Sequence, residues 1–277
     1  MSQSPKIQDA LSWVRSIFIL DPLIYSYTVV LGSLSLISSL FDRQGRVQHQ
    51  FARLWSWLIL KTTLSPVRVL GLENLQPEQP AVYAANHISA LDIPLLYANM
   101  PMPFRIIAKE ELFRYPFMGW HLRRSGQIAV DQSDARSSLR ALNRASETVH
   151  KGMPLVVFPE GGRSGTGQVR PFLSGAFYVA IKAGVPVVPL AIVGTNACLR
   201  PNTYHIRPHP IELIVGKPIS TAGYATRDMD VLSQRVQAVI EDMYYARASA
   251  PDPRPAAAPR PAAAPAEVET ARRQEPR

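Results

Sequence analysis

The sequence predicts an α/β layered domain with a mixed, largely parallel sheet flanked by helices, preceded by an N-terminal membrane-associated helical hairpin. Three observations carry this reading. From Val67 onward, short apolar runs alternate with helical patterns, the rhythm of strand–helix units. Ahead of them, twenty uncharged residues, Pro22 to Phe41, lie between Asp21 and Asp42, about the length that crosses a bilayer as a helix. Behind them, residues 249–277 are Pro, Ala and Arg with scattered acids, a composition that cannot bury a core and reads as a disordered tail. The expected units are therefore 1–65 for the hairpin, 66–248 for the α/β domain and 249–277 for the tail, whose deletion should be tolerated.

In the hairpin, Leu23, Tyr27, Val30, Leu34, Ile37 and Phe41 are spaced by 4, 3, 4, 3 and 4, which marks one helical face. Serines dilute the stretch. A second apolar stretch runs from Phe51 to Leu60, and its indoles, Trp55 and Trp57, suit a headgroup-level position. Arg43, Arg46, Arg53 and Lys61 surround it. The expected arrangement is a hairpin within one leaflet, or one span with an interfacial helix. A cleaved signal peptide fits poorly, because Asp9 and Asp21 interrupt the n-region and no A-x-A site follows. A hairpin buried in the protein core remains the alternative.

Within the body, Ala81–Ala85, Arg105–Ala108, Gln127–Val130, Pro154–Phe158, Val185–Val193 and Ile211–Val215 read as strands. Ile93–Ala98, Glu111–Leu122, Asp134–Lys151, Ser174–Ala183 and Met229–Tyr245 read as helices. No period of 20–50 residues recurs, which argues against a solenoid.

Composition narrows the class. The chain has 277 residues, 18% charged and 47% hydrophobic, which excludes a wholly disordered, collagen-like or multi-span membrane protein. Its one cysteine, Cys198, permits no internal disulfide and points to a reducing compartment. The net charge of +9 suggests an anionic partner: nucleic acid, acidic lipid or a phosphorylated substrate. Nucleic acid is the poorest fit, because the basic residues are scattered and lack interleaved aromatics.

Two strand ends carry chemistry. Asn86-His87-Ile88-Ser89-Ala90-Leu91-Asp92 follows the strand Ala81–Ala85. Histidine suits proton transfer near neutral pH, and a carboxylate on its second nitrogen fixes its tautomer. On a continuous helix a five-residue offset would place the two side chains about 140° apart. His87 and Asp92 can meet only if a turn intervenes. The plainer reading makes Asp92 a helix N-cap before Ile93-Pro94 and His87 an ordinary loop residue. The second end, Phe158-Pro159-Glu160-Gly161-Gly162-Arg163-Ser164-Gly165, combines turn-forming glycines with a guanidinium fork suited to phosphate. It lacks the Lys-Ser/Thr of a P-loop, and the chain has no G-x-S-x-G elbow and no H-E-x-x-H metal motif.

Together, N-H-x-x-x-x-D at 86–92 and F-P-E-G-G-R-S at 158–164 resemble motifs I and III of the glycerolipid acyltransferases. Gly126–Asp131 resembles that family's second block, Val185–Pro189 its last, and Ala108–Leu112 the segment between the first two. The resemblance runs from about Val67 to Lys217, and the N-terminal hairpin is also a family feature. Two positions depart from the pattern. Gln132 stands where motif II usually has arginine, and Gly162 where motif III usually has threonine. The missing arginine is associated with the acceptor's phosphate; Lys109, Arg136 and Arg140 are candidates to replace it, although Arg136, Arg140 and Arg144 also fit a solvated helix face.

The resemblance implies transfer of a fatty acyl chain from a thioester, acyl-CoA or acyl carrier protein, to the free hydroxyl of 1-acylglycerol-3-phosphate, giving phosphatidic acid. His87 would be the general base and Asp92 its orienting partner. Arg163 and Lys109 would hold the acceptor's phosphate, with Gly161 and Glu160 shaping that loop; Glu160 is alternatively a structural partner of Arg163. No metal, cofactor or covalent enzyme intermediate is implied. The expected partners are membrane lipids, the lysophospholipid acceptor and the thioester donor, and the expected place is the cytoplasmic face of the inner membrane. A sibling enzyme acting on glycerol-3-phosphate, a lyso-ornithine lipid or another lysolipid stays open, as do a hydrolase using His87 to activate water and a non-catalytic lipid-binding protein.

Overall fold

The computed structural model describes residues 5–42 and 45–254. The basic flank expected at Arg43 and the tail beyond residue 254 lie outside the described residues. Among the described residues, the strands are Val67–Leu70 (β1), Val82–Ala85 (β2), Arg105–Lys109 (β3), Ile128–Val130 (β4), Leu155–Val157 (β5), Val187–Val193 (β6) and Ile211–Val215 (β7). They form one sheet in the order β1-β7-β6-β2-β5-β3-β4. Every neighbouring pair is parallel except β6 with β7. The expected mixed, largely parallel sheet is therefore present. Because β2 to β6 run in one direction, their carboxyl ends share one edge, where open α/β sheets bind ligands.

The helices are Pro5–Arg15 (α1), Asp21–Ser38 (α2), Arg46–Thr62 (α3), Asp92–Asn99 (α4), Met118–Arg124 (α5), Ala135–His150 (α6), Gly175–Ala183 (α7), Thr195–Cys198 (α8) and Met229–Tyr245 (α9). A π-helical turn, Ser16–Leu20, joins α1 to α2. Alternation along the strands makes two cores. Tyr83 and Ala85 of β2 pack with α3 and α4 on one face, through residues such as Ile59, Leu60, Leu95 and Leu96. Val82 and Ala84 pack on the other with α6, α7 and α9, through Ala145, Phe177, Val236 and Ile240.

The hairpin is asymmetric. Its second arm, α3, is a layer of the domain: Ala52, Ile59 and Leu60 are buried, as are Gln48, His49 and Ser56. Trp55, half-buried, donates from Nε1 to Thr28 Oγ1 at 2.7 Å, joining the two arms. Trp57 stays exposed. The first arm runs straight through Asp21 instead of beginning there. Ile24 and Tyr27 pack on the core and Ser35 is buried, while the apolar residues Leu23, Val30, Leu34 and Ile37 point outward. Such an inverted face has no use in water. From Asp9 to Ser38 this helix is long and apolar enough to cross a membrane.

Two local expectations change. The helix expected over Glu111–Leu122 is a 3-10 turn, Glu110–Arg114, followed by the short α5. Pro116 between them interrupts helical hydrogen bonding and disfavours helix at the residue before it. β1 is an added edge strand: Arg68 is exposed and its neighbours half-buried, so no apolar run announces it.

Candidate active site

His87 lies just past β2, and Asp92 is the first residue of α4. The chain turns between them, and His87 Nδ1 lies 2.7 Å from Asp92 Oδ2. The same oxygen accepts the backbone N–H of Ile88 at 2.7 Å and of Ser89 at 2.9 Å. The other, Oδ1, accepts from Thr195 Oγ1 at 2.6 Å. Asp92 is therefore not the N-cap, a position held by Leu91; its carboxylate folds back on the turn that precedes it. Four donors and complete burial fix it in one orientation. An imidazole that donates from Nδ1 to such an acceptor presents Nε2 as a base. Its ring stacks on Phe158, with centroids 4.2 Å apart and planes 26° apart, and the side chain remains 14% exposed. Asn86, fully buried, exchanges two hydrogen bonds with the backbone of Ile192 on β6, which pins the start of the turn.

The glycine-rich turn after β5 closes over this loop. Glu160 Oε1 accepts from His87 N at 2.7 Å and Oε2 from Arg170 N at 3.0 Å, while Ser164 N donates to His87 O at 2.8 Å. Glu160, expected to shape this loop or to pair with Arg163, is 3% exposed and ties the two motif loops together through backbone groups, with no bond to Arg163 among the described residues. Burial, reinforced by the nearby charge of Asp92, pushes its carboxyl up to about 8 against the two N–H donors, which act to lower it. Gly161 has φ +68°, where a Cβ would meet Leu173 Cδ1 at 2.9 Å and Gln132 Nε2 at 3.2 Å. Gln132, at the departing motif II position, thus packs against the motif III turn. A Cβ at Gly162 would meet only Arg170 Nη1, at 3.6 Å, an ordinary contact, so crowding at Cβ does not require glycine there.

Lys109 and Arg163 sit on the same edge but do not join this network. Lys109 ends β3, two strands from β2, a lateral step of about 10 Å at the usual strand spacing. Both side chains are exposed, and among the described residues neither side chain has a hydrogen-bonded or ionic partner. Arg136, Arg140 and Arg144 form a solvated face of α6, with Arg140 lying 3.8 Å from Asp134. Among the described residues no group of three or more His, Cys, Asp or Glu side chains is placed to hold a metal ion. Sequence reasoning missed Thr195, which is 103 residues from the carboxylate it bonds and stands in no motif. It also gave no role to Asn86 and Phe158, although both lie inside the motif blocks.

Residues 66–193, which contain both loops, match the family model described as acyltransferase. The chain is 30% identical to the 1-acyl-sn-glycerol-3-phosphate acyltransferase of Pseudomonas aeruginosa over 71% of its own length and 76% of that protein. It is 32% identical to the enzyme of that name from Saccharomyces cerevisiae, over 73% of this chain and 68% of the relative. The chain belongs to the acyltransferase family. Against a chloroplast acyltransferase of Brassica napus the identity is 38% over 65% of this chain, and the chain spans about half the length of that relative, 53%. The crystal structure of PlsC, the 1-acyl-sn-glycerophosphate acyltransferase of Thermotoga maritima, superposes with a TM-score of 0.68 at 28% identity, covering 86% of this chain and 95% of that one. The acyltransferase fold thus extends beyond the matched block into the N-terminal helices.

Proposed function

We propose that this acyltransferase moves a fatty acyl chain from a thioester to the free sn-2 hydroxyl of 1-acylglycerol-3-phosphate, giving phosphatidic acid at a membrane surface. The observation that carries the reading is the 2.7 Å contact between His87 Nδ1 and an immobilised Asp92. Nε2 accepts the acceptor's hydroxyl proton as its oxygen attacks the thioester carbonyl. The tetrahedral intermediate collapses with cleavage of the C–S bond, and the imidazolium returns the proton to the thiolate. Positioned proton transfer is worth roughly 10²–10⁴-fold; alignment of the two substrates supplies much of the remainder. His87 and Asp92 are the catalytic pair in this reading, and the transfer is direct, with no metal, cofactor or acyl-enzyme.

Lys109 and Arg163, whose side chains have no partner among the described residues, lie on the edge where the dyad opens and are assigned to the acceptor's phosphate. Gly161 and Glu160 shape the loop that carries Arg163. The outward apolar face of the first helix supports attachment to a bilayer, where acceptor and product reside, with the α/β domain at the cytoplasmic face of the inner membrane. The names of the bacterial, yeast and PlsC relatives support the acceptor. Gln132 keeps a second reading, a sibling acting on another lysolipid or glycerol-3-phosphate, because an amide replaces a cation beside Gly161.

The test is acyl transfer by membranes containing the protein, with labelled acyl-CoA and 1-acylglycerol-3-phosphate, glycerol-3-phosphate and lyso-ornithine lipid in parallel. The expected result is phosphatidic acid formed by the unmutated chain and not by His87→Ala. Product from another acceptor alone would establish the sibling reading. Free fatty acid released without any acceptor would make the protein a hydrolase.

A further inference from the structure

A crevice of about 420 Å³ opens between the start of the first helix and the loop 199–207, with Trp13, Ile17, Arg200, Tyr204, His205 and Arg207 in its lining. It stands on the edge that carries the dyad. The loop follows β6 and α8, and Leu199 O accepts from Ser89 Oγ at 2.7 Å, while Ser89 N donates to the Asp92 carboxylate at 2.9 Å. It is also on the opposite flank from the expected acceptor site. In the sheet order the crevice lies on the β6 side of β2, whereas Lys109 ends β3 and Gln132 and Arg163 follow β4 and β5.

The walls are built. Ser16, buried at the start of the π-turn, accepts from Ile206 N at 2.6 Å. His205 Nε2 lies 3.1 Å from Ser12 Oγ, and Arg207 Nη2 lies 2.7 Å from Asp9 Oδ1. Two guanidinium groups, Arg200 and Arg207, therefore line the crevice, Arg207 paired with Asp9, and among the described residues the exposed Arg200 side chain has no hydrogen-bonded or ionic partner. Trp13 and Tyr204 are 51% and 65% exposed at its mouth. Guanidinium forks take phosphate, aromatic faces stack a base without regard to its identity, and the volume falls in the range of small-molecule sites.

We propose that this crevice binds the phosphorylated nucleotide end of a CoA thioester, Arg200 and Arg207 on phosphate and Trp13 and Tyr204 against the base. The inference rests on the acyl-transfer reading and specifies its donor: the two phosphate-bearing substrates approach His87 from opposite flanks. A lipid headgroup would leave the aromatic pair without a base, and a carrier protein would need a docking face, not a crevice.

The test uses the full chain in phospholipid nanodiscs, with acyl-CoA and acyl-pantetheine as donors. Arg200→Ala should raise KM for acyl-CoA about tenfold, the loss of one charge-assisted hydrogen bond, and leave kcat, the acceptor KM and turnover of acyl-pantetheine unchanged. Trp13→Leu should raise the same KM less and abolish quenching of tryptophan fluorescence by free CoA. Equal use of both donors by the unmutated protein would overturn the proposal, as would a rise in acceptor KM in Arg200→Ala or a carrier-protein KM that responds to Arg200→Ala while that for acyl-CoA does not. Free CoA judges the crevice without turnover: absence of transfer from every donor would sink the acyl-transfer reading, whereas absence of Trp13-dependent quenching would sink the crevice alone.

Discussion

Asp92 accepts four hydrogen bonds and is fully buried, whereas Lys109 and Arg163, on the same edge of the same sheet, are exposed and among the described residues their side chains bond to nothing. The carboxylate is held by its own turn, by Thr195 on α8 and by the ring it orients. Glu160 then fastens that turn to the motif III loop through His87 N. The contrast separates two requirements. A general base must meet its hydroxyl at a fixed angle, so the protein fixes it before any substrate arrives. A phosphate is recognised by charge over a wider range of geometry, so its partners can stay mobile until the ligand orders them.

Substitutions test this contrast from the strongest consequence to the weakest. His87→Ala should lower kcat by roughly 10²–10⁴-fold while leaving acceptor affinity intact, because only the proton-transfer step is removed. Initial rates at varied acceptor concentration, with circular dichroism to confirm folding, check this. Thr195→Val keeps the shape and removes one donor from a buried carboxylate oxygen. Chemical denaturation should show a loss of about 1–3 kcal/mol, and kcat should fall without a change in KM. Wild-type stability in both would show that Asp92 does not depend on its long-range support.

Glu160 gives a pH signature. Its carboxyl is raised in the folded protein from 4.5 to about 8, so between those values the folded state binds more protons than the unfolded one. The stability it contributes is therefore lost as pH rises through that window. Glu160→Gln should flatten that decline, read as melting temperature against pH from 5 to 8. An unchanged slope would place the titration elsewhere. Smallest in its structural effect, Arg163→Ala or Lys109→Ala should raise acceptor KM several-fold with kcat and melting temperature nearly unchanged, since an exposed side chain without a partner supports no fold.

Much of this architecture was legible because it is local. β2, β5 and β7 are short apolar runs, and the need for a turn between His87 and Asp92 follows from helical geometry alone. The strand ends that bear the motifs also follow from local pattern. What was not legible depends on contacts distant in sequence. Thr195 reaches Asp92 across 103 positions, and no periodicity records that meeting. α3 reads as membrane-seeking because its residues are apolar, yet that surface is spent on α4 and the sheet. The same composition serves a core and a bilayer equally well: α3 turns Ala52, Ile59 and Leu60 inward while Leu54 and Trp57 stay exposed, and α2 turns Leu23, Val30, Leu34 and Ile37 outward. Gln132 is the intermediate case: its departure is visible in the motif, but its contact with Gly161 needs the fold.

The most direct test is a steady-state comparison of unmutated protein, His87→Ala and Arg163→Ala in one membrane preparation, with labelled acyl-CoA and varied 1-acylglycerol-3-phosphate. The account predicts a collapse of kcat at unchanged acceptor affinity for His87→Ala and a raised KM at nearly unchanged kcat for Arg163→Ala. Phosphatidic acid formed by His87→Ala within a few-fold of the unmutated rate would contradict it.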